Sequence, residues 1–235
     1  MTDTQLPSWS SVLAVVAHPD DESFGLGAVL STFAANGAQV TVVCFTHGEA
    51  STVHEVEGNL ASVRAAELTA AALELGIDAV HLKAYPDGAL GSVDPALLVA
   101  DVERVAETVN ADGFIAFDPS GVTSHPDHQC ATAVALIAAA HRQTDLLGWT
   151  IPETTARLLT TEFGAEFVGH NDNQVDVRID VDRARQIRAI ACHPSQVVPG
   201  SVLWRRLELL GSSESLRWLL NSRPQRTDVV AAGSN

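Results

Sequence analysis

Residues 12–22 read Val12-Leu13-Ala14-Val15-Val16-Ala17-His18-Pro19-Asp20-Asp21-Glu22, an unbroken apolar run that ends in a crowd of polar side chains. Such a run reads as a strand covered on both faces, which is the signature of a parallel sheet. The polar group follows where an open parallel sheet presents its ligands, outside the carboxyl end of a strand. About a hundred residues later the pattern returns: a second apolar run, residues 113–117, is followed by Asp118-Pro119-Ser120-Gly121 and then His125-Pro126-Asp127-His128. The tight Asp-Pro-Ser-Gly loop presents this second cluster. Together the clusters supply imidazoles and carboxylates in the proportions of a divalent-metal hydrolase.

Outward from these two points, short apolar runs alternate with helical periodicity. Strands are predicted over 12–17, 40–45, 79–82 and 113–117, and helices over 23–36, 58–75, 95–109 and 127–142. Gly37 and Gly76 act as helix stops, and Asp94 followed by Pro95 is a helix start. This alternation predicts right-handed βαβ units, hence an α/β, Rossmann-like fold: a mostly parallel sheet with helices on both faces. After Gly148 the rhythm changes. Strands are expected over 158–163 and 174–179, helices over 180–191, 202–210 and 215–220, and a frayed tail after Arg223. No repeat, low-complexity block or long linker interrupts the chain, so residues 1–235 are read as one domain with its core at about 10–200.

The 235 residues carry 14 basic and 29 acidic side chains, a formal charge of −15, and Lys83 is the only lysine. That surface repels phosphate backbones and anionic lipid, which argues against nucleic-acid binding and against membrane adsorption. Cys44, Cys130 and Cys192 are odd in number and show no CxxC spacing, as expected in a reducing compartment. The first ten residues lack a basic segment leading into an apolar one, and no run approaches the ~20 apolar residues of a membrane helix. A cytoplasmic protein without membrane insertion is the expectation.

His18 and Asp21 stand at i and i+3 where a helix begins, so both can grip one metal ion. Asp20, between them, points elsewhere and is free to meet a metal-bound water as a base. Glu22 is read as stabilising the helix N-terminus. His125 and His128 repeat the spacing. One of them can complete a metal triad while the other stands near a substrate carbonyl, and Asp127 can accept a hydrogen bond from an imidazole. A dinucleotide loop is a poor alternative: after Gly25-Leu26-Gly27 the sixth position of GxGxxG is Leu30, and carboxylates fill the turn where a pyrophosphate would lie.

These residues resemble the PIG-L/LmbE-like family of metal-dependent de-N-acetylases, whose signatures AHPDDE and HPDH stand intact as residues 17–22 and 125–128. The resemblance runs over roughly residues 10 to 200. It extends to Thr46-His47-Gly48-Glu49, Arg64-Ala65-Ala66-Glu67, Tyr85-Pro86-Asp87-Gly88 and a later segment ending His193-Pro194-Ser195-Gln196. It implies that His18, Asp21 and His128 hold Zn²⁺, with Fe²⁺ as the alternative in the cell. Asp20 is then the general base, His125 stabilises the oxyanion with Asp127 holding it, and Arg64 and Asp87 meet sugar hydroxyls. The implied substrate is a small N-acetylglucosamine-containing molecule, such as a thiol-pathway glycoside, and relatives assemble as homo-oligomers, trimers or hexamers. The chain departs from some members in having no tyrosine just upstream of HPDH. An amidase for a larger acyl group and a non-catalytic metal- or sugar-binding module are the competing readings. An unpaired Arg64 would serve as a clamp, whereas pairing with Glu67 would make it a surface helix residue. The stripe Trp204, Leu207, Leu210 is read as core in preference to interface.

Overall fold

In β1 (Ser11–Val16) every residue is buried, with Val12, Ala14 and Val16 in one apolar layer and Leu13 and Val15 in the other. Both layers flank one seven-stranded sheet, so β1 is its spine. The computed structural model describes residues 2–221 apart from Glu55 and Glu57; the expected frayed tail lies outside the described residues. In chain order β1 is followed by α1 (Asp21–Phe24), α2 (Gly27–Ala35), β2 (Gln39–Thr46), α3 (Leu60–Leu75), β3 (Ala79–Tyr85), α4 (Pro95–Thr108), β4 (Gly113–Phe117) and α5 (Pro126–Arg142). Then come β5 (Asp145–Thr150), α6 (Glu153–Phe163), β6 (Val177–Asp180), α7 (Ala184–Ala191), α8 (Val202–Leu210) and β7 (Ser213–Leu220).

The sheet order is β3-β2-β1-β4-β5-β7-β6. The first five strands are mutually parallel, and β7 runs antiparallel to β5 and β6. The order reverses between β1 and β4, and this switch point is where an open α/β sheet leaves a crevice at its carboxyl edge. Both sequence clusters lie there, one after β1 and one after β4. Helices α2 and α3 cover one face with Leu30, Phe33, Leu68 and Leu75, while α4 and α5 cover the other with Leu98, Val102, Val134 and Ala138. Each fully buried Leu or Phe of this kind contributes about 1.5–3 kcal/mol.

The predicted fold class stands, and four local expectations need correction. The helix expected over 23–36 is broken at Gly25-Leu26, where the chain passes so close to Phe117 that a Cβ on Gly25 would lie 2.4 Å from its ring. The strand β5 was not anticipated. Its short run Leu146-Leu147-Gly148-Trp149 is interrupted by a glycine, and only pairing with β4 and β7 defines it. Residues 158–163, expected as a strand, belong to helix α6. Its Thr155, Ala156 and Leu159 face inward at helical spacing, and Gly164 closes it in the left-handed conformation at φ 71°. Residues 215–220, expected as a helix, lie in β7, where pairing with strands on both sides overrides the helix propensity of their leucines. Of the stripe on α8, Leu207 and Leu210 are buried in the core as read, and Trp204 is half-buried against it.

Candidate active site

Donor atoms of three side chains, both oxygens of Asp21 among them, approach one another at the switch point. His18 Nδ1 lies 3.2 Å from His128 Nε2 and 3.7 Å from Asp21 Oδ2, and His128 Nε2 lies 3.1 Å from Asp21 Oδ1. The edges of a tetrahedron of His and Asp ligands around Zn²⁺ measure about 3.3–3.6 Å, given metal–ligand bonds of about 2.0–2.2 Å. The fit extends to the second nitrogens. His128 Nδ1 faces the Gly121 carbonyl at 3.3 Å, and His18 Nε2 faces Asp87 Oδ1 at 3.1 Å. The Gly121 carbonyl holds the His128 proton on Nδ1 and leaves its other lone pair aimed at the shared point, while the Asp87 and Asp127 carboxylates stand beside His18 Nε2. Two lone pairs and a carboxylate directed at one point are what a cation binds. The carboxylates also act on the bare imidazole: burial works against charge on His18, but Asp87, Asp21 and Asp20 outweigh it and raise its pKa to about 9. The Asp21 carboxyl is held well below the usual range: burial opposes this, and His128 and His18 prevail.

Asp20 sits beside this point, in a backbone conformation that L-residues rarely adopt, φ 123°. Its carbonyl accepts from the Ser23 and Phe24 amides and its own amide donates to Glu22 Oε2 at 2.9 Å. Strained residues of this kind cluster where geometry is functional. Burial pushes the Asp20 carboxyl up to about 7, with Arg64 and His193 opposing and Asp21 and Glu22 adding. Glu22 does more than favour a helix end. It is fully buried, takes the Ser23 hydroxyl, and pairs with the equally buried His193 through Nε2 at 2.8 Å.

Arg64 is buried on α3, and its guanidinium donates to the Gly48 carbonyl at 2.6 Å, to the Pro19 carbonyl, and to Asp20 Oδ2 at 3.1 Å. Its partners are therefore Asp20 and the loop around it, where the resemblance implied sugar hydroxyls. Glu67 is no partner of Arg64; it takes the amide and hydroxyl of Ser195. Asp87 is likewise engaged, by His18 and by the Ala50 amide at 2.8 Å. Asp127 does not direct its carboxylate at His125. Its oxygens accept from the Gly88 and Leu90 amides and lie 3.4 Å from His18 Nε2, while its backbone amide donates to His125 Nδ1 at 3.2 Å. That bond makes His125 the cap of α5 and places the ring proton on Nε2. Burial, His128 and His18 hold the His125 pKa down. Donor atoms of His18, His125 and His128 also lie within 4.8 Å of one another, as do those of His18, Asp87 and Asp127. The Asp127 amide and the resulting Nε2–H direct His125 toward hydrogen-bond donation.

The cleft above these groups has a volume of about 470 Å³. Phe24, Phe117, Trp149 and Arg206 line one side of it, and none of these was singled out in the sequence. Trp149 lies near the end of the strand that went unrecognised, and Arg206 reaches the site from α8.

Residues 13–140 match the family described as PIG-L: GlcNAc-PI de-N-acetylase, which is more than half of the chain. The chain belongs to this family. Among PIG-L relatives, a 1D-myo-inositol 2-acetamido-2-deoxy-alpha-D-glucopyranoside deacetylase of Mycolicibacterium vanbaalenii is 29% identical over 233 residues, covering 79% of this chain and 80% of the relative. A probable N-acetyl-alpha-D-glucosaminyl L-malate deacetylase 2 of Bacillus anthracis is 27% identical over 218 residues, covering 88% and 91%. Several Streptomyces relatives are spanned over only about half of their length. The N,N'-diacetylchitobiose deacetylase of Pyrococcus horikoshii superposes with a TM-score of 0.66 at 21% identity, over 90% of this chain and 84% of that one, which shows a shared fold. With its PIG-L membership, the chain is a deacetylase-type hydrolase. No helix among the described residues is long and apolar enough to cross a membrane.

The loop geometry yields a direct test. Gly48 has φ 64°, and a Cβ there would lie 1.8 Å from Arg64 Nη1. Gly48→Ala should therefore push Arg64 off Asp20 and lower kcat about tenfold or more, since small displacements of catalytic groups are costly. Metal content should not change. An alanine variant with full kcat would show that Arg64 does not set the position of Asp20.

Proposed function

We propose that this chain is a metal-dependent N-deacetylase that removes the acetyl group from a small N-acetylglucosamine-containing molecule, with His18, Asp21 and His128 holding Zn²⁺. The convergence of these three donors beside the Asp20 carboxylate carries the reading. A Zn²⁺ ion held there would supply Lewis acidity and would lower the pKa of a water toward ~7. Asp20, with its carboxyl at about 7, accepts the proton from the attacking water. Arg64 keeps that carboxylate in place. The Nε2–H of His125 donates to the amide oxygen as negative charge grows on it. Asp20 then returns its proton to the departing nitrogen, so amide and water leave as acetate and a free amine. Asp87 and Asp127 orient His18 from its far side, and Asp127 does so in place of the carboxylate contact with His125 read from sequence.

The test is metal content. Wild-type protein should hold one metal ion per chain, and Asp21→Ala should lose both the ion and amine-releasing activity. A variant that keeps a full metal complement would remove Asp21 from the ligand set.

A further inference from the structure

Two arginines line the cleft, and they differ in their partners. Arg64 is neutralised by Asp20. Arg206 has no carboxylate within ion-pair distance among the described residues. Its Nη2 donates to the Phe24 carbonyl, its Nε has no partner, and its guanidinium carbon lies 5.1 Å from the centre of the Trp149 ring. Burial pulls its pKa down to about 10, with Glu214 opposing and Arg183 adding, so it stays charged at neutral pH. Arg183 engages Glu214 at 2.5 Å, which leaves that carboxylate satisfied elsewhere.

A half-buried cation without a counter-ion is costly in a protein. In a chain with a net charge of −15, acids to neutralise it are plentiful, yet none among the described residues pairs with it. The Trp149 ring holds the guanidinium by a cation–π contact at the wall of the cleft, where its fork of donors suits a carboxylate or a phosphate. Its position is tied to the reaction centre by three successive contacts: His128 to Phe117 at 4.9 Å, Phe117 to Trp149 at 5.4 Å, and Trp149 to Arg206. The far end is thus apolar-walled and closed by one positive charge.

We propose that Arg206 determines specificity by binding an anionic substituent, a carboxylate or a phosphate, on the amino-sugar conjugate. This rests on the deacetylase reading and narrows its substrate class. The acetyl group is too small to reach along this wall, so the anion belongs to the part of the substrate that leaves as the amine. An acidic protein surface repels such a substrate at long range, and a single desolvated arginine supplies the attraction locally.

The experiment measures kcat/KM for three substrates with zinc-loaded protein: methyl N-acetyl-α-glucosaminide, its carboxymethyl counterpart, and N-acetylglucosamine 1-phosphate. One of the two anionic substrates should exceed the neutral one by about 10–100-fold, the range of a charge-assisted hydrogen bond. Which one distinguishes carboxylate from phosphate. Arg206→Met should bring that ratio toward one, and Arg206→Lys should restore part of it. Because the readout is a ratio, partial loss of folded protein does not alter it. A wild-type ratio near one with the neutral glycoside turned over, or a ratio that survives in Arg206→Met, overturns the proposal and leaves the deacetylase reading intact. No amine from any of the three substrates counts against the deacetylase reading itself.

Discussion

Replacing Asp20 by asparagine should lower kcat by about 10²–10⁴-fold, the usual contribution of a positioned base, while one metal ion per chain stays bound. The substitution keeps shape and an oxygen for the Arg64 guanidinium, so it removes proton transfer and little else. Asp20 is suited to that work because burial lifts its carboxyl to about 7, where it is both available as a base and able to give the proton back. Its unusual φ of 123° adds about 1–3 kcal/mol of strain, which the surrounding bonds to Glu22, Ser23, Phe24 and Arg64 must hold. Single-turnover kinetics with metal analysis on the same sample is the measurement. Full turnover by Asp20→Asn would transfer the role of base to another group.

The second large effect is on stability. His193 and Glu22 are fully buried and joined at 2.8 Å, so His193→Ala should leave a carboxylate without its cation, at a cost of about 3–5 kcal/mol. For a domain of this size that corresponds to a fall in Tm of roughly 10 °C. Burial works against charge on His193, but Glu22 prevails and raises its pKa above 6.5. A raised folded-state value means the pair stabilises fully below pH ~6.5 and loses that contribution as pH rises through the folded pKa. Wild type and variant should therefore differ most in acid solution and converge as pH increases. A Tm loss of a degree or two, independent of pH, would show that the pair carries no such energy. Because Glu22 also takes the Asp20 amide, kcat should fall with stability.

Much of this was legible from residues 12–22 and 113–128 alone. Apolar runs ending in polar clusters fix both the parallel sheet and the edge that carries the site. The i, i+3 spacing brings His18 to Asp21 directly. What the sequence could not display is which partner a polar side chain chooses at long range. Asp127 and Asp87 turn to His18, Glu67 to Ser195, and Glu22 to His193 across 171 positions of chain. His193 and Ser195 thereby brace α1 and α3 through Glu22 and Glu67. The carboxyl-terminal third was harder for a related reason. Strands β5 and β7 owe their conformation to one another, and α6 hides its inward face behind β-branched threonines. Trp149 and Arg206 went unseen with them.

The most direct measurement is amine and acetate release from an N-acetylglucosamine conjugate, by protein stripped with chelator and then reloaded with one equivalent of Zn²⁺. The expected result is loss of both products on stripping and their return, in equal amounts, on reloading. Turnover that survives complete metal removal, or a reloaded protein that holds one ion per chain and releases no amine from any such conjugate, would contradict a metal-dependent deacetylase at this site.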